Sequence, residues 1–110
     1  MKARWLGVSA AAMMVFGAGQ ASADLALAKA SGCLACHSVE KKIVGPAWKD
    51  VSARYKGDAG ARDALIAKVK KGGKGNWTDV TGGVPMPPNS PRVSDENIAK
   101  LVDFVLGLAK

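Results

Sequence analysis

Cys33-Leu34-Ala35-Cys36-His37 is the stretch of this chain whose residue types and spacing can do chemistry. Two thiols three residues apart, followed at once by an imidazole, form C-x-x-C-H, the spacing at which a c-type haem is attached. Each thiol can add to one vinyl group of a porphyrin, giving two thioether bonds. Residues three apart on a helical turn face the same side, so both sulfurs can reach one edge of the ring. His37 can then offer its imidazole to the iron. Three other chemistries weigh less. A Cys33–Cys36 disulfide would close a loop too short to stabilise the chain much. A thioredoxin-type dithiol belongs in a βαβ unit, and no strand pattern is evident. A structural zinc takes four ligands, whereas the chain beyond residue 23 offers two Cys and one His.

If the iron takes a second strong side-chain ligand, the choice is narrow. Met86 is the one methionine beyond residue 23 and His37 the one histidine of the chain. Bis-histidine ligation within a monomer is therefore excluded, and Met86 is the natural candidate, with a lysine the weaker one. Pro85-Met86-Pro87-Pro88 fixes φ at its prolines, and Pro87 pushes Met86 toward an extended conformation. A stiff segment loses less entropy when the thioether is held in place. The alternative is a methionine that merely fills core space, for which a rigid Pro-rich loop is a poor setting.

The elements that must position these groups follow from pattern. Residues 1–23 read as a secretory signal peptide. Lys2 and Arg4 precede an apolar run from Leu6 to Ala18, and Ala21-Ser22-Ala23 is an A-x-A cleavage site. The run is short and rich in Ala and Gly, unlike a spanning helix; a retained membrane anchor is the alternative. Cleavage after Ala23 leaves residues 24–110 as one small domain of 87 residues. So short a chain rarely builds enough core alone, and its aromatics are only Trp48, Tyr55, Trp77 and Phe104. A covalent porphyrin would supply the missing apolar bulk, so the expected fold class is all-α, with four to five helices wrapped around one haem.

A first helix is expected over Leu25–Ser31, with Asp24 as N-cap. Gly32 either ends it or lets the backbone approach a neighbour. A polar loop over residues 39–44 is ended by Gly45-Pro46, and Pro46 suits the first turn of a second helix, which presents Trp48, Val51 and Tyr55 on one face and stops at Gly57. A third spans Gly60–Lys71, with Leu65, Ile66 and Val69 inward and Gly72-Gly73 ending it. Five glycines and four prolines punctuate residues 72–93, which show no helical or strand period. Loops that long are uncommon in compact domains unless functional or disordered, and one draped over a haem face, burying Trp77, Val84 and Met86, fits. The last helix runs over Asp95–Leu108, capped by Ser94 with Asp95 and Glu96 at its positive end. It buries Ile98, Leu101, Val102, Val105 and Leu108, with Phe104 at the edge.

Three stretches together carry a resemblance: Gly32-Cys-Leu-Ala-Cys-His37, Val44-Gly-Pro-Ala-Trp-Lys-Asp-Val51 and Val84-Pro-Met-Pro-Pro-Asn89. With the helix order, they resemble class I c-type cytochromes of the short bacterial cytochrome c-551 type over nearly all of residues 24–110. The resemblance implies a small cytochrome c fold with one haem c on Cys33 and Cys36, and iron bound by His37 and Met86. It implies that the Pro46 carbonyl accepts a hydrogen bond from the His37 ring, and that Trp77 donates its indole N–H to a haem propionate. It also implies that Asn89 lies near the Met86 sulfur, that Lys68 lies near a propionate, and that the first and last helices cross with Gly32 close to Phe104. Between Trp77 and the Pro-Met-Pro-Pro segment, residues 78–83 make this chain longer than the shortest members.

The function so implied is a periplasmic monohaem one-electron carrier, not an enzyme, working between respiratory or denitrification partners. Those partners would be acidic or membrane-bound redox proteins: a bc-type complex, with a terminal oxidase, nitrite reductase or peroxidase. Two of the sixteen basic residues lie in the leader, leaving fourteen against nine acidic ones, a formal +5. That surplus suits an acidic partner or an anionic membrane face, unless the lysines are simply a solvated face. Nucleic acid is not expected, and neither is an oligomer. The competing readings are a haem enzyme or gas sensor, which needs an open iron position, and a docking subunit of a larger oxidoreductase.

Overall fold

The computed structural model describes residues 16–109, with side chains from residue 21. It is all-helical. The helices are α1 (Phe16–Ala30), α2 (Trp48–Arg54), α3 (Ala61–Lys71), α4 (Thr78–Thr81) and α5 (Asp95–Leu106), with a 3₁₀ turn at Cys33–Ala35 between α1 and α2. Residues 1–15 of the expected signal peptide lie outside the described residues. No described helix is long and apolar enough to cross a membrane.

α5 is the spine. Ser94 caps it, its hydroxyl accepting from the Asn97 amide at 3.1 Å. Its Leu101 and Val105 join Ala28 of α1 and Trp48 and Val51 of α2 in one buried cluster. Ile98 and Val102 join Val93 in a second, against Leu65, Ile66 and Val69 of α3. α1, α2 and α3 therefore pack apolar side chains onto α5. A buried hydroxyl ties α2 to the chain's end: Ser52 donates to the Leu106 carbonyl at 2.9 Å and accepts from the Ala109 amide at 2.8 Å.

The structure departs from the sequence expectations in several places, and Val84, expected to be buried, is half exposed. α1 is already helical at Phe16, the first described residue, well before Leu25, and runs through Ala21-Ser22-Ala23, because an alanine-rich run has high helix propensity wherever it lies. α2 begins at Trp48, so Pro46 precedes the helix instead of opening it; the Trp48 and Lys49 amides are taken by the Ser38 and Val39 carbonyls. α5 ends at Leu106, two residues short of Leu108. Within the stretch lacking a period, α4 makes one turn, closed by the Gly82 amide on the Thr78 carbonyl at 2.9 Å. A helix so short leaves no periodic signature. α1 packs against α5 as expected, and the atom nearest to a Cβ placed at Gly32 is Arg92 Nη1 at 3.9 Å. Phe104 meets Trp48 edge-on, with ring centroids 6.1 Å apart.

Candidate haem site

The apolar interior is small. Among the described residues, ten hydrophobic residues are buried, three of them alanines. The space that larger side chains would fill is instead a cavity of about 570 Å³, well inside the range of cofactor pockets. Val51, Leu101 and Val105 face both the core and this cavity. Every site residue read from the sequence lines it: Cys33, Cys36, His37, Pro46, Trp77, Met86 and Asn89, and Lys68 as well.

The thiols are presented by the 3₁₀ turn, in which the Cys36 and His37 amides donate to the Cys33 carbonyl at 3.2 and 3.0 Å. Both thiols are free. Burial pushes the Cys33 thiol pKa up, opposed by the nearby Arg92 guanidinium, with Cys36 adding to the rise. His37 is fixed from two sides. Its ring stacks on Trp48, centroids 5.5 Å apart and planes 22° from parallel. Its Nδ1 lies 2.9 Å from the Pro46 carbonyl oxygen. A carbonyl can only accept, so Nδ1 carries the proton and Nε2 keeps the lone pair a metal needs. Burial pushes the imidazole pKa down and the Pro46 bond acts the other way; the neutral ring is the metal-binding form.

Gly45 belongs to this arrangement, though the sequence offered it only as a loop end. A Cβ there would stand 2.6 Å from His37 Cε1 and 3.0 Å from each ring nitrogen. Gly45→Ala is therefore expected to rotate the ring off the Pro46 carbonyl. The haem-loaded variant should show at least about tenfold weaker protection of the His37 Nδ1 proton from exchange, the loss of one hydrogen bond. Proton NMR checks this, and protection equal to the parent's would contradict it.

Met86 is held by its backbone. Its amide donates to the Gly73 carbonyl at 3.0 Å and its carbonyl accepts from the Gly73 amide at 2.8 Å. The sequence marked Gly72-Gly73 only as a helix stop; pairing across thirteen residues has no local signal. Asn89 is 6% exposed and fully bonded. Its Nδ2 donates to the Val69 and Pro87 carbonyls at 3.0 and 3.1 Å, and its Oδ1 accepts from Arg92 at 2.6 Å. It thus anchors the methionine segment through the carbonyl next to Met86. Trp77 is half-buried under the Arg54 guanidinium, 4.5 Å over its ring, and Arg54 also donates to the Asn76 carbonyl at 2.9 Å.

Two thiols, a neutral imidazole with a free lone pair and a thioether on an anchored segment, all lining one apolar cavity, suit a covalently attached haem. A family model described as cytochrome c matches residues 23–109. The chain belongs to the cytochrome c family. Cytochrome c-551 of Allochromatium vinosum is 59% identical over 88 residues, covering 80% of this chain and 88% of that one. Cytochrome c-552 of Nitrosomonas europaea is 46% identical over 108 residues, covering 98% and 99%. The crystal structure of wild-type Nitrosomonas europaea cytochrome c552 superposes with a TM-score of 0.68 at 45% identity, covering 76% of this chain and 98% of that one. This cytochrome is accordingly a small monohaem electron carrier, not an enzyme, with one haem c bound covalently through Cys33 and Cys36. The haem supplies the one-electron chemistry; the chain supplies attachment, burial and orientation.

Proposed function

We propose that this cytochrome is a periplasmic one-electron carrier whose iron is bound by His37 and Met86. The observation that carries the reading is the pair of hydrogen bonds between Met86 and Gly73. They place a thioether, on a segment stiffened by three prolines, at the cavity that His37 also lines. With His37 and Met86 both bound to the iron, electron exchange would require little rearrangement, and methionine–histidine ligation would raise the potential. The Trp77 indole N–H and the Lys68 ammonium, both at the cavity, would hold the propionates, and the Pro46 carbonyl would keep the His37 ring basic. Asn89 steadies the methionine segment. Residues 1–23 are a leader cleaved after Ala23, and residues 24–110 are the working domain, a monomer. The formal +5 of that domain suits transient docking with acidic or membrane-bound redox proteins. A bc-type complex would serve as donor, with a terminal oxidase, nitrite reductase or peroxidase as acceptor.

Carbon monoxide tests the ligation. It binds reduced iron only at an open position, so the reduced protein is expected to ignore it on the timescale of mixing. Met86→Ala should bind it at once, with a lowered reduction potential. A parent protein that takes up carbon monoxide as fast as Met86→Ala would overturn the reading.

A further inference from the structure

Arg92 follows the Pro-Met-Pro-Pro-Asn segment, and neither the haem motif nor any helix pattern draws attention to it. Its guanidinium is a two-ended donor. Nη1 donates to the Ser31 carbonyl at 2.9 Å, across 61 residues, and Nη2 donates to Asn89 Oδ1 at 2.6 Å. Ser31 stands two residues before Cys33. Asn89 passes the link on, since its Nδ2 donates to the carbonyl of Pro87, the residue after Met86.

We propose that Arg92 is a positioning residue for Met86, joining the haem-attachment segment to the methionine segment through the Asn89 amide. The claim rests on the His37/Met86 reading above. Chemistry fixes the direction of the link. A guanidinium has no acceptor and the Val69 and Pro87 carbonyls have no donor, so the Asn89 amide fits only one way round. Without the guanidinium, a buried Oδ1 loses its partner, which is costly. The side chain then gains by turning toward water, and the Pro87 carbonyl is released with it. A lysine cannot substitute, because one ammonium lacks the planar fork that reaches both acceptors.

The test uses the haem-loaded protein with Arg92→Gln and Arg92→Lys. In the oxidised state, added imidazole reaches the iron only when Met86 has left, so its apparent affinity reports the fraction of molecules with Met86 detached. Both variants are expected to bind imidazole roughly tenfold more tightly than the parent, the effect of one charge-assisted hydrogen bond. The Asn89 side-chain amide protons should also exchange faster. Parent-like affinity in Arg92→Lys would overturn the proposal, since charge alone would then suffice, and so would affinity within about a factor of two of the parent in Arg92→Gln. Should Arg92→Gln load haem poorly, Arg92→Lys, which keeps the stem and the charge, decides alone. Failure of the underlying reading is distinguishable: the unsubstituted oxidised protein would then lack the far-red sulfur-to-iron band.

Discussion

Deprived of its haem, as the Cys33→Ser, Cys36→Ser double variant expressed without attachment, the chain is expected to lose nearly all its helical far-ultraviolet signal at room temperature. The haem-loaded protein should melt cooperatively. The reason is the balance between core and cavity. Of the ten buried hydrophobic residues among those described, Ala28, Ala47 and Ala61 contribute little area, and Ile98 is the only large apolar side chain among them fully enclosed. The cavity beside them measures about 570 Å³. Without haem, water enters this open cavity, and each large apolar side chain lining it loses burial worth about 1.5–3 kcal/mol. Whole domains are stable by only about 5–15 kcal/mol. Because Val51, Leu101 and Val105 serve both core and cavity, the helices cannot close over the gap without abandoning their packing on α5. Circular dichroism of the double variant decides this, and a native-like spectrum with a cooperative melt would show that the core suffices alone.

Gly72→Ala should loosen Met86 while leaving haem attachment intact. Gly72 has φ 75° and ψ −165°, a region open essentially only to glycine, where another residue costs about 1–3 kcal/mol. A Cβ there would also collide with the Met86 carbonyl oxygen and lie 2.7 Å from Pro88 N and 2.8 Å from Pro87 C. All three are backbone atoms, and two belong to Pro87 and Pro88, whose φ is fixed by their rings, so the Met86-Pro87-Pro88 segment must move as a unit. Together these effects amount to about 3 kcal/mol, or about a hundredfold in the fraction of molecules with Met86 bound. The expected result is a sharply weakened sulfur-to-iron band and carbon monoxide binding by the reduced variant, with haem content unchanged. Gly82→Ala is the control. Gly82 also has positive φ, but nothing lies within 4 Å of its Cβ position, so stability should fall by about 1 kcal/mol with the band intact. Equal effects at Gly72 and Gly82 would mean that the close approach to the methionine segment is irrelevant.

The haem-attachment cysteines and the candidate ligands were legible because their signals are short. C-x-x-C-H needs only five positions, and Met86 stood out as the one methionine beyond residue 23. The apolar face of α5 was legible from its period, and Ile98, Leu101, Val102 and Val105 are buried as that period requires. What supports the chemistry was not legible, because it is made of contacts between distant residues. Nothing local marks Gly73 as the partner of Met86, Trp48 as the ring stacked on His37, or Arg92 as the link from Ser31 to Asn89. Gly45 and Gly72 read as loop and helix ends, yet each is also a place where a Cβ would strike a proposed iron ligand or its backbone. Boundaries moved for the same reason. α2 starts at Trp48 because the Ser38 and Val39 carbonyls take its first amides, an arrangement set by the loop following His37.

The central claim is that the Met86 sulfur binds the iron, and its most direct test is the proton NMR spectrum of the reduced protein. A methionine methyl held over the face of a porphyrin is shifted far upfield by the ring current, outside the range of other protein methyls. The account predicts one such three-proton resonance, assigned to Met86 and absent from Met86→Ala. A Met86 methyl at an ordinary methionine position in the fully reduced protein would contradict it.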